Sequence, residues 1–341
     1  MRSAVALLCF APLVVIPEGN LRLRLPFGYH PHAGVGATPL ESNLMPARLI
    51  LNADDFGLTR GINRAIAELN SAGALTSATL MATGPAFDDA VQVARAHPAL
   101  GVGCHIVLTD GTPVSSPESI PTLLAHDRRS FRSRLTKFLQ ALLTGRISAE
   151  DISREALAQI EKLQRAGVRI THLDTHKHTH LFPTVSRALL EVAERTGIRA
   201  IRSPFEPDWS QSLAQGGPAR RLAVRALTLL KPAFDSAPQL HSHAVRTTDG
   251  TAAISATGSL DAETLAELLQ ALPDSGTYEL CCHPGYNDAE LDLVTTRLRA
   301  HRNTEREALL TEIPRALAQS NPAQLITYAD LERPLRPEVS S

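Results

Sequence analysis

The chain has 341 residues, 43% of them hydrophobic and 20% charged, with a formal net charge of −1. That is enough chain to bury a real core, as one large α/β domain or two ordinary ones, and the charge balance excludes a global pull towards nucleic acid or an anionic membrane. Four cysteines (Cys9, Cys104, Cys281, Cys282) form no C-x-x-C pair, so neither a zinc ribbon nor a disulfide framework is expected, and no nucleic-acid-binding motif is present.

The chain opens on "MRSAVALLCFAPLVVIPEG", one arginine followed by an apolar run too short to span a bilayer. The positive region is minimal and no small-x-small cleavage site follows. Residues 1–44 therefore read as a misassigned start or an N-terminal extension, with an export signal in residues 1–20 as the alternative. The working protein is expected to cover residues 45–335 and to be cytoplasmic.

From Met45 onward, strand and helix patterns alternate. "ARLILNA" has the continuous apolar character of a buried strand, and "GINRAIAELNSAG" spaces Ile62, Ile66 and Leu69 for a helix that stops at Gly73. "ALTSATLMA" (strand), "AFDDAVQVARAHP" (helix) and "LGVGCHIVL" (strand) follow. "SAEDISREALAQIEKLQRAG" begins with a Ser148 cap and an acidic first turn. "VRITHLD" is a strand, "PTVSRALLEVAERTG" a helix with Pro at its start and Gly at its end, and "IRAIRSP" a strand. "SLDAETLAELLQAL" is a helix, "GTYELCCHP" a strand, and "AQLITYADL" a last strand entering a turn. Such alternation argues for parallel βαβ units. About seven strands favour a barrel or distorted barrel over an open sheet, in a single α/β domain, though periodicity leaves both open.

Five polar clusters, "NADDFG", "GCHIVLTDG", "THLDTHKHTH", "IRSP" and "CCHPGYND", fall at the C-terminal ends of these strands, the edge where parallel α/β folds bind ligands. Adjacent Asp54 and Asp55 would point to opposite faces of a regular strand, but a turn at the strand end could aim both into one site. One aspartate with two histidines from different strands suits a divalent transition metal, zinc by default. A second aspartate could then serve as general base towards a bound water. This is equipment for metal-assisted hydrolysis of an amide or ester.

Four blocks, "LILNADDFGLTRGINRAI", "LGVGCHIVLTDGTPV", "THLDTHKHTHLFP" and "ELCCHPGYND", resemble in order the signature blocks of the YdjC-like carbohydrate deacetylases, from about Met45 to Tyr328. Within that family the chain looks most similar to the branch associated with hopanoid biosynthesis. The resemblance implies a distorted (β/α) barrel, a divalent metal (zinc or magnesium) and removal of an N-acetyl group from an amino sugar. Carried over by position, it makes Asp55, His105 and His176 the metal ligands, Asp54 the base, and His283 an acid for the leaving amine or a partner of the reacting groups. The family often has "DSHHHVH" where this chain has "DTHKHTH", so the position of Lys177 is not an obligatory ligand. Asp174 is a candidate acceptor for a ligand imidazole, with a simple structural hydrogen bond as the alternative. His178, His180, Arg202 and Tyr286 are candidate substrate contacts, Arg202 with a structural ion pair as the alternative.

Two basic and apolar stretches with helical spacing, Asp127 to Arg146 and Ala219 to Phe234, fall in insertions expected near residues 110–147 and 205–258. They could lie on a membrane surface, pack on the barrel, or meet a second copy in a homodimer. The hopanoid branch implies an N-acetylglucosaminyl group on a lipid carrier. Competing readings are a deacetylase of soluble chitooligosaccharides, another metallohydrolase such as a phosphoesterase, and a non-catalytic carbohydrate- or lipid-carrier-binding protein.

Overall fold

In the computed structural model, residues 46–213, 224–319 and 322–332 are described. The expected N-terminal extension and part of the second insertion fall outside them. The apolar run Arg48–Phe56 forms β1, buried along its length after the first residue, as a central strand covered on both faces must be. Around it lie β2 (Ser77–Leu80), β3 (Gly101–Ile106), β4 (Ile170–Thr175), β5 (Gly250–Ala252), β6 (Thr277–Cys282) and β7 (Gln324–Leu325). All pairings are parallel and the order is β4-β3-β2-β1-β6-β5, with β7 paired to the start of β1.

The stretch expected as a strand at "IRAIRSP" joins this sheet only through single bridges, Leu173 to Ile201 and Ala200 to Arg246. Farther along, Thr251 N–H donates to Phe205 O at 3.0 Å. Residues 200–205 thus stand between β4 and β5 and curl the sheet round into a distorted barrel, the architecture expected from the alternation of elements.

Helices α1 (Arg60–Ser71), α2 (Phe87–Ala96), α3 (Leu135–Leu143), α4 (Ala149–Arg165), α5 (Pro183–Thr196), α6 (Ala262–Gln270) and α7 (Ala300–Leu317) surround the sheet. Their ends follow local chemistry. Thr59 caps α1 by accepting from Ile62 N–H, so neither Asp54 nor Asp55 is used as a cap. Ser148 caps α4, as its sequence suggests, and Gly197 ends α5 in the left-handed conformation.

The first insertion departs from expectation. Helix begins only at Leu135, because Asp127 accepts from Arg129 and Ser130 N–H and Phe131 N–H donates to Gly111 O, making a turn instead. Phe138, Leu139, Ala141 and Leu142 of α3 are buried, so its apolar face is turned into the protein rather than towards a membrane. Among the described residues, no helix is long and apolar enough to cross a membrane.

Candidate metal centre

The C-terminal end of β1 solves the problem of two neighbouring carboxylates. The β1–β2 register shifts between Ala53 and Phe56, and Asp55 has φ of 64°. That left-handed residue at a bulge turns the chain so that both side chains reach one site, a strained geometry found chiefly where function requires it.

Asp55 Oδ1 lies 3.3 Å from His176 Nδ1 and 3.8 Å from His105 Nε2. These three ligand atoms lie within 4.8 Å of one another. Metal–donor bonds of about 2.0–2.2 Å at tetrahedral angles separate donors by about 3.3 Å, so the spacing fits one divalent ion. His105, across from Asp174 in the β3–β4 register, has its Nδ1 2.8 Å from Asp174 Oδ1. With the proton on Nδ1, that bond would leave the Nε2 lone pair available to a metal. His176 is the outermost of the three candidate ligands, its side chain 21% exposed, while Asp55 and His105 are buried.

Two further groupings, Asp54 with Cys281 and His283, and Asp54 with His105 and Asp174, also bring donors together. The carboxylates of both are already paired with a cation. Arg202, fully buried, donates from Nη1 and Nη2 to the Asp54 carboxylate at 2.9 and 2.6 Å, and from Nη1 it lies 2.6 Å from Asp174 Oδ2. Its Nη2 also lies 2.5 Å from Glu279 Oε1. Arg202, expected either as a substrate contact or as a structural ion pair, is engaged in ion pairs with three carboxylates beneath the site. Asp54 accepts in addition from Asn52 Nδ2 and Thr79 Oγ1, each at 3.1 Å.

The electrostatics follow from this network. Burial raises the Asp54 carboxyl, but Arg202 and His105 outweigh it and hold Asp54 well below the usual carboxylate range. Asp55 is also held well below that range, its burial outweighed by Arg302 and His176. Burial alone would depress His105; Asp174, Asp54 and Asp55 instead lift it to about 9. His283, whose Nε2 is 3.7 Å from Asp54 Oδ2, is lowered to about 4, chiefly by burial.

The other histidines and Tyr286 take different places. His172 is fully buried and stacked on Tyr328 at 3.8 Å between centroids. His180 is buried, with Nδ1 2.7 Å from Thr175 Oγ1. Lys177 and His178 share the left-handed region (φ of 58° and 50°), which swings Lys177 out to an ion pair with Asp110. His178 lines an apolar cavity of about 100 Å³ with Leu135 and Leu139 of α3, Phe205, Leu227 and Ile254. Both insertions contribute to this cavity. Tyr286 is half-buried between the guanidinium groups of Arg64 and Arg306, and its hydroxyl donates to Glu68 at 2.7 Å.

Sequence reasoning missed two residues on α7. Arg302 Nη2 donates to Asp55 Oδ2 at 2.5 Å, and Glu305 Oε2 accepts from His283 N–H at 2.6 Å. Both sit in "LRAHRNTERE", which reads as an ordinary charged helix; no local signal marks them.

A family model described as "YdjC-like protein" matches residues 48–320. The chain belongs to the YdjC-like family. Among its YdjC-like relatives, the carbohydrate deacetylase of Brevibacillus brevis is 30% identical over 83% of this chain and 99% of its own length. That of Geobacillus stearothermophilus is 33% identical over 84% and 98%. A solved protein from Enterococcus faecalis V583, described as a candidate for cellobiose-phosphate cleavage, shares this fold, with a TM-score of 0.69 at 24% identity over 84% of this chain and 99% of that one.

Proposed function

We propose that this protein is a metal-dependent carbohydrate N-deacetylase acting on an N-acetylated amino sugar. The observation that carries the reading is the convergence of Asp55, His105 and His176 with Asp54 and His283 at one end of the barrel. The name of the relatives, carbohydrate deacetylase, supports it.

Asp55, His105 and His176 would hold a divalent ion, which would supply Lewis acidity towards the acetyl carbonyl and make water more acidic. The chain's own groups do the rest. Asp54 takes a proton from the attacking water, and Arg202, Asn52 and Thr79 fix the direction in which its carboxylate faces. His283 is neutral before reaction, so it first gains a proton from the Asp54 side, 3.7 Å away, and then gives it to the departing nitrogen. The C–N bond breaks as the new C–O bond forms, leaving acetate and a free amine.

The acceptor in this reading is an N-acetylglucosaminyl group on an apolar, hopanoid-type carrier. Its support is the apolar cavity beside His178, walled by both insertions, which offers apolar surface next to the ligand loop.

Acetate release with added zinc or magnesium tests the activity, comparing wild type with Asp54→Asn and His176→Ala. Asp54→Asn should keep metal and lose turnover; full turnover with metal bound would end the base assignment. No acetate from any N-acetylated amino sugar, with metal bound, would end the deacetylase reading. Soluble chitobiose and a glucosaminyl lipid are compared in the same assay. Equal or better turnover of chitobiose would remove the lipid carrier.

A further inference from the structure

We infer that Arg302 is a positioning residue that restricts Asp55 to one-oxygen ligation, keeping coordination positions open at the metal. The inference rests on the proposal that Asp55, His105 and His176 hold the ion. The two oxygens of Asp55 face different partners. Oδ1 points at His176 Nδ1 and His105 Nε2, whereas Oδ2 is taken by Arg302 Nη2 at 2.5 Å. A small ion that drew in both carboxylate oxygens would need Oδ2 to leave a fully buried guanidinium, which loses a charge-assisted hydrogen bond and leaves the cation short of its partner.

Arg302 is itself held in place. Nε donates to Leu298 O at 3.0 Å, and its own carbonyl accepts from Gly285 N–H at 3.1 Å. A Cβ at Gly285 would come within 3.1 Å of Arg302 Cδ and 2.9 Å of Ile62 Cγ1, so only glycine lets the loop lie this close. One turn farther along α7, Glu305 fixes His283 N–H at 2.6 Å. The first two turns of α7 therefore set both the mode of the metal carboxylate and the backbone of the proposed acid.

The charge of Arg302 has a cost for the metal. A buried cation beside the site repels a second cation, so the arrangement gives up metal affinity to keep positions free for water and substrate. This separates it from a structural prop, whose removal would weaken metal binding and activity together.

The test uses the full-length protein loaded with cobalt(II), whose visible bands weaken as coordination number rises. Arg302→Met should bind cobalt as tightly as wild type or more tightly, show weaker bands, and lose kcat by about 10–100-fold at saturating metal. Arg302→Lys, which keeps the charge, should recover part of both the spectrum and kcat. If Arg302→Met does not fold, Arg302→Gln replaces it with the same expectation. An unchanged cobalt spectrum in the neutral variant overturns the inference, as does loss of cobalt affinity matching that of His176→Ala. Wild-type cobalt affinity in His176→Ala would instead break the ligand assignment, a separate failure.

Discussion

Replacing Asp174 with asparagine tests how the second tier of the site governs the first. Asp174 Oδ1 lies 2.8 Å from His105 Nδ1, and Oδ2 lies 2.6 Å from Arg202 Nη1, with Asp174 fully buried. An asparagine has one acceptor for these two donors. If its oxygen keeps His105, its amide hydrogens face the Arg202 guanidinium, donor against donor. If it turns the other way, the amide donates to His105 Nδ1, which moves the ring proton to Nε2 and removes the lone pair aimed at the metal. Either way one charge-assisted hydrogen bond is lost, worth about 1.5–3 kcal/mol to the metal-free fold. Metal affinity should fall by about 10–100-fold, the usual consequence of removing the partner of a ligand imidazole, or about 1.4–2.8 kcal/mol. Competition against a chromophoric chelator gives the affinity, and thermal unfolding of the metal-free protein gives the stability. An affinity within threefold of wild type would refute the claim that Asp174 sets the His105 tautomer.

Other outcomes can be checked on the same material. Gly103→Ala would place a Cβ 2.4 Å from His172 Cε1, against a ring already stacked on Tyr328, and should cost about 1–3 kcal/mol of stability by thermal melting. Thr59→Ala removes the cap that accepts from Ile62 N–H and should cost about 1 kcal/mol without changing metal affinity. Burial raises Glu305 from 4.5 to about 7, with His283 N–H and Arg302 only partly offsetting it. Below pH 4.5 both folded and unfolded chains hold this proton. Between pH 4.5 and 7 the unfolded chain releases it while the folded chain keeps it, so folding loses stability as pH rises, levelling at about 3 kcal/mol above pH 7. The stability difference between Glu305→Gln and wild type should therefore swing in the variant's favour from pH 5 to pH 8; a flat difference in denaturant titrations contradicts the assignment.

Much of the site was legible because its donors sit at strand ends, where a parallel fold gathers them. Asp54, Asp55, His105, His176 and His283 lie in short segments whose apolar run stops at a polar cluster, and the structure brings all five together. The histidine-rich stretch was expected to place one donor, His176, opposite "NADD" and "GCH", and the left-handed turn at Lys177 and His178 leads the chain away after His176. The arginines were harder to read. Arg202 follows a strand that pairs only by bridges, and a basic residue at a strand end looks like a ligand contact until its three carboxylate partners are seen across the barrel. Arg302 lies 247 positions from Asp55, on a helix whose charges suggest solvent, so nothing local signals its burial. The bulge at Asp55 was foreseen only as a need, since no residue type in "NADDF" encodes a left-handed aspartate.

Arg202 also compensates for a weakness in the barrel. Backbone pairing thins to single bridges where residues 200–205 meet β4, yet the side chain that leaves this stretch is tied to β1, β4 and β6 at once, like a spoke fastened to three points of a rim. The rim cannot open beside the spoke without unfastening the carboxylate of Asp54, the proposed base. Backbone amides near Ile201 should then exchange with solvent only in openings that also silence the enzyme, and rigidity at the least-laced part of the wall becomes a condition of chemistry at its centre.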